Sequence, residues 1–136
     1  MRIEKNFELL KSIKSAGIIL KPSSPELKDS YLKIKELFEK VNIDIYLEEN
    51  SANMIGLKGL CLEELSLKVD FLISVGGDGT LLSVVRRSFR FEKPVLGINL
   101  GTLGFLTDIS MEELPKFVED LKNDIYKIDT RMMVEG

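Results

Sequence analysis

The sequence predicts an α/β fold, a parallel sheet covered by helices on both faces in a three-layer arrangement. Three observations predict it. Short apolar runs alternate along the chain with segments of helical periodicity. Some of the runs are almost continuously apolar, as strands buried on both faces must be. Two glycine clusters each directly follow one of those runs, where a buried strand has to turn into the next element.

The elements follow in order. Ile3, Phe7, Leu10 and Ile13 stand at helical spacing and predict a short amphipathic helix over 3–14. Residues 16–20 (AGIIL) are a buried strand. Lys21-Pro22-Ser23-Ser24-Pro25 ends it, with Ser24 expected to cap a helix whose first residue is Pro25. Leu27, Tyr31, Ile34 and Phe38 are the apolar face of that helix, which runs over 25–40. Residues 43–47 (IDIYL) are a second strand. Residues 48–60 are polar, contain Gly56 and Gly59, and read as a loop; a helix before the next strand stays open. Residues 69–75 (VDFLISV) are a third strand. Leu81, Leu82, Val85 and Phe89 then form a helical stripe to about residue 90. Residues 94–99 (PVLGIN) are a fourth strand, followed by a glycine-containing turn over 100–107. Asp108 or Ser110 can cap the next helix, with Glu112 and Glu113 in its first turn. Its buried stripe is Leu114, Phe117, Val118 and Leu121, and Pro115 is tolerable only near its start. Residues 125–135 begin another strand or two.

Composition narrows the chemistry. The 136 residues are one domain's worth. They carry 19 Lys+Arg against 22 Asp+Glu, a net charge of −3, with no basic block, which argues against a nucleic-acid partner or a membrane surface. No apolar run approaches the roughly 18 residues of a membrane span. There is no histidine, so Ser-His, Cys-His and His-metal chemistry within this chain is excluded. One cysteine, Cys61, allows no internal disulfide. With no signal-like apolar stretch at the start, the expected location is the cytoplasm.

Six of the ten glycines lie between Gly76 and Gly104. In Gly76-Gly77-Asp78-Gly79-Thr80 a strand turns into a helix. Bare backbone N–H groups and the positive end of the helix make a cradle for phosphates there. Neither common phosphate template fits: the G-x-G-x-x-G pattern fails at Leu82, and no Gly-Lys-Ser/Thr is present. The alternative is a tight turn with Asp78 as a cap. A carboxylate among phosphate-binding amides is costly unless it does chemistry, as a base or beside a metal.

The first cluster resembles the signature of a kinase superfamily that includes NAD kinases, lipid kinases of the diacylglycerol and sphingosine type and, more distantly, phosphofructokinases. The second cluster separates them. Gly97-Ile98-Asn99-Leu100-Gly101-Thr102-Leu103-Gly104-Phe105-Leu106-Thr107-Asp108 is similar to the NAD kinase motif. The chain is thereby identified as resembling the NAD kinase family over residues 16–136, with specific motifs over 69–108. The resemblance implies a Rossmann-like nucleotide-binding domain over 1–124, and over 125–136 the start of a β-rich domain. It implies transfer of the terminal phosphoryl group of ATP, or of polyphosphate, to the 2′-hydroxyl of the adenosine ribose of NAD. A divalent ion such as Mg2+ and a homo-oligomer go with that activity. Asp78 corresponds to the catalytic base. Gly76, Gly77, Gly79 and Thr80 would bind phosphates and nucleotide. Asp78, Gly79, Asn99, Gly101, Leu103, Gly104 and Phe105 would contact NAD, with Phe105 near the adenine.

Several of these residues have a second reading. Thr80 could only cap its helix, and Asn99 could only close its own turn. Phe105 could be core. Arg86 and Arg87 read either as a solvated helix face or as contacts to a phosphate or a partner. Family enzymes are about twice as long and carry an Asn-Glu pair that this chain lacks. The chain is therefore expected to be an N-terminal fragment, inactive or nearly so alone. The rival readings are a lipid kinase domain and a non-catalytic nucleotide-binding module.

Overall fold

A computed structural model describes residues 13–101 and 109–122. The helix expected over 3–14 lies almost entirely outside those residues, as do the strands expected over 125–135 and the site residues Leu103, Gly104 and Phe105. Five strands, β1 (Ser15–Leu20), β2 (Asp44–Leu47), β3 (Phe71–Gly76), β4 (Val95–Asn99) and β5 (Ile109–Ser110), form one sheet. Their order is β2-β1-β3-β4-β5, and every pair is parallel. Four were expected. The fifth is two residues at the sheet edge, too short to show an apolar run. The helices are α1 (Lys28–Glu39), α2 (Glu49–Met54), α3 (Leu62–Lys68), α4 (Asp78–Ser88) and α5 (Leu114–Lys122).

Strand alternation sorts the core into two layers. Ala16, Ile18 and Leu20 of β1, Phe71, Ile73 and Val75 of β3, and Leu96 and Ile98 of β4 share one cluster. In it they meet Tyr31, Ile34 and Phe38 of α1 and Leu114, Phe117, Val118 and Leu121 of α5. The rings of Phe38 and Phe71 lie 6.1 Å apart and tilted, a favourable aromatic geometry. The other cluster holds Ile19, Leu72 and Val95 with Leu65 of α3 and Leu81 and Val84 of α4. Both faces of the sheet are thus covered, which is why the third strand reads as continuously apolar. Gly17 sets the approach of α3: a Cβ there would lie 2.6 Å from Leu65 Cγ.

Several expectations are corrected. The face that α4 buries is Leu81, Val84 and Ser88, whereas Leu82 and Phe89, expected in its stripe, are exposed. Residues 48–60 are not simply a loop. Helix α2 occupies 49–54, and Glu48 pairs with Leu60 in a parallel bridge. At six residues α2 is too short for an apolar stripe. Its cap is Glu48, whose buried carboxylate accepts from the Asn50 and Ser51 amides and from the Ser51 hydroxyl. Ser24 does not cap a helix with its side chain: its hydroxyl donates to Pro22 O at 3.1 Å. Pro25 instead opens a 3-10 turn (Pro25–Leu27) that leads into α1. Ser110 closes the turn over 111–113 that leads into the last helix rather than the helix itself. Its hydroxyl accepts from the Glu113 amide and the Glu113 carboxylate accepts from the Ser110 amide, while the helix begins at Leu114 with no acidic residue in its first turn.

The carboxyl end of β1 is tied to α2 through one hydroxyl. Ser51 Oγ accepts from Leu20 N at 2.8 Å while donating to Glu48. The start of β1 is tied to β3 by Asp70, which accepts from the Lys14 and Ser15 amides at 2.7 and 3.1 Å.

Two stability predictions follow from this packing. Gly17→Ala is expected to destabilise the fold by about 1–3 kcal/mol through overpacking. The loss should shrink in a Leu65→Ala background, where space has been made. Urea denaturation of the four members of that cycle measures the coupling, and additive effects would show that α3 is not seated on Gly17. Ser51→Ala leaves the buried Leu20 amide without its acceptor and is expected to cost about 1–3 kcal/mol in the same assay.

Candidate functional site

The strand order places a crossover reversal between β1 and β3. From β1 the chain moves outward to β2, and from β3 it moves the other way to β4. Loops diverge at such a point, and ligands of open α/β sheets bind in the crevice it leaves at the carboxyl ends of the strands. Here those ends are Leu20, Gly76 and Asn99.

Backbone hydrogen bonds hold the three ends together. Lys21 N donates to Val75 O at 2.9 Å, and Leu100 N donates to Gly76 O at 3.0 Å. The two glycine clusters, separate in sequence, are therefore neighbours on adjacent strands. A cavity of about 380 Å³ opens over them. Gly76, Gly77 and Asp78 line it from the first cluster, and Asn99, Leu100 and Gly101 from the second. The structure thus brings together most of the described residues expected at the site.

Helix α4 begins at Asp78 with Gly77 as its N-cap. Its first intrahelical bond is from Leu81 N to Gly77 O. The Gly79 and Thr80 amides in the first turn have no intrahelical carbonyl to pair with. They carry the positive end of the helix dipole, which favours an anion. Asp78 is half-buried at that end, and Gly79 is exposed.

The glycines divide by what surrounds them. At Gly76 a Cβ would lie 2.6 Å from Thr80 Oγ1 and 3.1 Å from Lys21 Cβ. That glycine is demanded by the protein itself, since Thr80 and Lys21 close over the strand end. At Gly77, Gly79 and Gly101 a Cβ would meet nothing within 4 Å among the described residues. Packing does not require glycine at those three positions. Gly77 and Gly101 leave bare backbone beside the cavity, which suits close approach of a ligand.

Asn99 follows its local reading in part. Its Oδ1 accepts from Gly101 N at 3.0 Å, an Asx turn that shapes the second cluster. Thr80 lines a second cavity, of about 370 Å³, on the other side of Gly77. Arg87 lines it too, whereas Arg86 does not. Cys61 stays half-buried at the start of α3.

The residues after β1 carry more of the site than their sequence suggests. Lys21, Ser24, Glu26 and Leu27 form the far wall of the first cavity. They read in sequence as a strand break and a helix cap. The available signal is that a lysine stands just beyond the carboxyl end of a buried parallel strand, but it acts only once β1 is known to neighbour β3.

Comparison with known proteins bears on this geometry. Residues 16–126 match the family model of the ATP-NAD kinase N-terminal domain. The NAD kinase of Wolinella succinogenes is 50% identical over 127 residues, 93% of this chain and 44% of that protein. The NAD kinase of Sulfurimonas denitrificans is 48% identical over 126 residues, with the same two coverages. That of Helicobacter hepaticus is 43% identical over 124 residues, 91% of this chain and 41% of that protein. This chain therefore spans under half the length of these curated relatives. The crystal structure of yeast NADH kinase complexed with NADH shares the fold, with a TM-score of 0.66 at 21% identity over 83% of this chain and 39% of that one. This chain belongs to the ATP-NAD kinase family and carries that family's N-terminal domain over residues 16–126.

Proposed function

We propose that the protein is an NAD kinase, transferring the terminal phosphoryl group of ATP or polyphosphate to the 2′-hydroxyl of the adenosine ribose of NAD to form NADP. The observation that carries this reading is Asp78, a carboxylate on a strand-to-helix turn of bare glycines, facing a cavity at the crossover reversal. Phosphoryl transfer to an alcohol needs little covalent chemistry from a protein. It needs a base positioned at the hydroxyl and donors positioned at the phosphates. Asp78 takes the proton from the ribose hydroxyl as its oxygen bonds to phosphorus and the bond to the leaving phosphate breaks. The Gly79 and Thr80 amides hold phosphate oxygens. Gly101 lets the dinucleotide approach the backbone, and Leu103, Gly104 and Phe105 extend that contact, with the aromatic ring stacking on adenine.

A divalent ion fits this site in a restricted way. Among the described residues there is no group of three or more His, Cys, Asp or Glu side chains that could hold one. Asp78 and Glu26 are the carboxylates of the first cavity. Such a set suits Mg2+ that takes its remaining ligands from water and substrate phosphates. When bound, the ion neutralises charge on the transferring phosphates.

The reading also carries a homo-oligomer, a cytoplasmic location and a β-rich domain that begins at 125–136. Coverage of only 44% of the relatives supports the view that this chain alone holds part of the NAD site. The isolated 136-residue chain is expected to bind nucleotide without robust turnover.

Fusion to the C-terminal part of the Wolinella succinogenes relative provides the test. The fusion is expected to form NADP from ATP and NAD, and a folded fusion without turnover would count against the reading. Asp78→Asn in that fusion is expected to lower kcat by about 10²–10⁴-fold with little change in the unfolding midpoint. Normal turnover would remove Asp78 from the role of base. Gly79→Ala separates binding from folding. Alanine is the better helix former, so stability should hold or rise by up to about 1 kcal/mol. NADP formation should nevertheless fall, because the added methyl enters the space left for ligand. Undiminished activity would show that Gly79 does not face a substrate.

A further inference from the structure

We infer that Lys21 and Arg87 form a cationic clamp for the phosphates of the phosphoryl donor, in a cavity distinct from the one that takes the dinucleotide. The inference rests on the kinase reading above and assigns the two substrates to opposite sides of Gly77.

The two cavities differ in charge. The first has two carboxylates in its lining, Glu26 and Asp78, against one cation, Lys21. The second is lined by two cations, Lys21 and Arg87, and two hydroxyls, Thr80 and Ser83, with no carboxylate. A triphosphate, with about one negative charge on each unit and more in total than the two-phosphate bridge of a dinucleotide, is drawn more strongly to the second lining than to the first. Among the described residues, neither Lys21 nor Arg87 is in an ion pair.

The geometry of α4 aims the arginine. Thr80, Ser83 and Arg87 stand three and four residues apart and so share one face of the helix. Side chains on a helix lean toward its N-terminus. Arg87 Nε donates to Ser83 Oγ at 3.1 Å, which holds the guanidinium along that face, toward Thr80 and the first-turn amides. Over seven residues the helix rises about 10 Å, a span that a triphosphate bridges when the long arginine leans back to meet it. The lysine comes from the other wall. Its Cβ lies close over Gly76, beside Thr80, which is the approach that a side chain at position 76 would block.

Lys21 and Gly77 line both cavities. A donor held in the second cavity therefore presents its terminal phosphate at the wall behind which Asp78 faces the first. Lys21, common to both linings, can follow the charge as the phosphoryl group moves from one to the other. Arg87 stays with the leaving phosphates, where its planar fork can hold two oxygens at once.

The test is a calorimetric titration of the 136-residue chain with inorganic tripolyphosphate, and separately with NAD. Arg87→Ala and Lys21→Ala are each expected to weaken tripolyphosphate binding about tenfold or more, and Arg87→Lys to restore part of the loss. Arg86→Ala removes the same charge from the same helix outside the cavity and should change binding by less than about twofold. NAD affinity should be unaltered by Arg87→Ala. All three positions are exposed, and thermal melts confirm that each variant folds. Absent tripolyphosphate binding, or equal losses in the Arg86 and Arg87 variants, would overturn the clamp. In the fusion enzyme, NADP formation with an unchanged donor KM in Arg87→Ala would refute the clamp and leave the kinase reading intact. Tripolyphosphate binding that depends on Arg87, in a folded fusion that does not phosphorylate NAD, would do the reverse.

Discussion

Gly76 is the last residue of the central strand, and no side chain fits there. Its missing Cβ is the space into which Thr80 and Lys21 close. Its carbonyl accepts the Leu100 amide, which draws the second glycine cluster alongside the first. Directly after it, Gly77 caps α4 and Asp78 begins it. A bulkier residue would push the residue after β1 and the first turn of α4 away from the strand end. The cavities on both sides of Gly77 depend on that one close approach.

The scaffold around this point is rigid where the site needs it. β3 is buried along its whole length between two other parallel strands, with apolar helices above and below. Strands in that position cannot slide without moving their side chains between core layers. At the end of β1 the polar link from Leu20 through Ser51 to Glu48 holds the strand terminus from which Lys21 departs. Such a buried network is stiff when every member is partnered. The glycines facing the cavities, by contrast, make no demand on the core. Stability and ligand approach are served by different glycines a few residues apart.

Much of the fold was legible beforehand. Tyr31, Ile34 and Phe38 repeat at helical spacing and are buried as a stripe, and so are Leu114, Phe117, Val118 and Leu121. The strand at 71–76 announced itself by its continuous apolar run. The elements that escaped are those too short for a period to show. Helix α2 owes its existence to a carboxylate cap rather than to amphipathicity, and β5 has two residues at an edge. Ser24 before Pro25 had the local chemistry of a helix cap. Its hydroxyl turned back to Pro22 because the segment enters a 3-10 turn instead.

The sequence by itself determined the class of fold, the position of both glycine clusters at strand ends, and Asp78 as the acid among them. Each of these is a local matter of periodicity, breakers and residue chemistry. What tertiary structure alone decided is adjacency. Nothing in the chain order says that β1 lies beside β3 rather than beyond it. That placement puts Lys21 against Gly76 and Thr80, brings Glu26 into the same cavity lining as Asp78, and turns Arg87 from one of two adjacent exposed arginines into part of a cavity. Strand order follows from how two apolar layers cover one sheet, a property of the packed whole that no window of sequence contains.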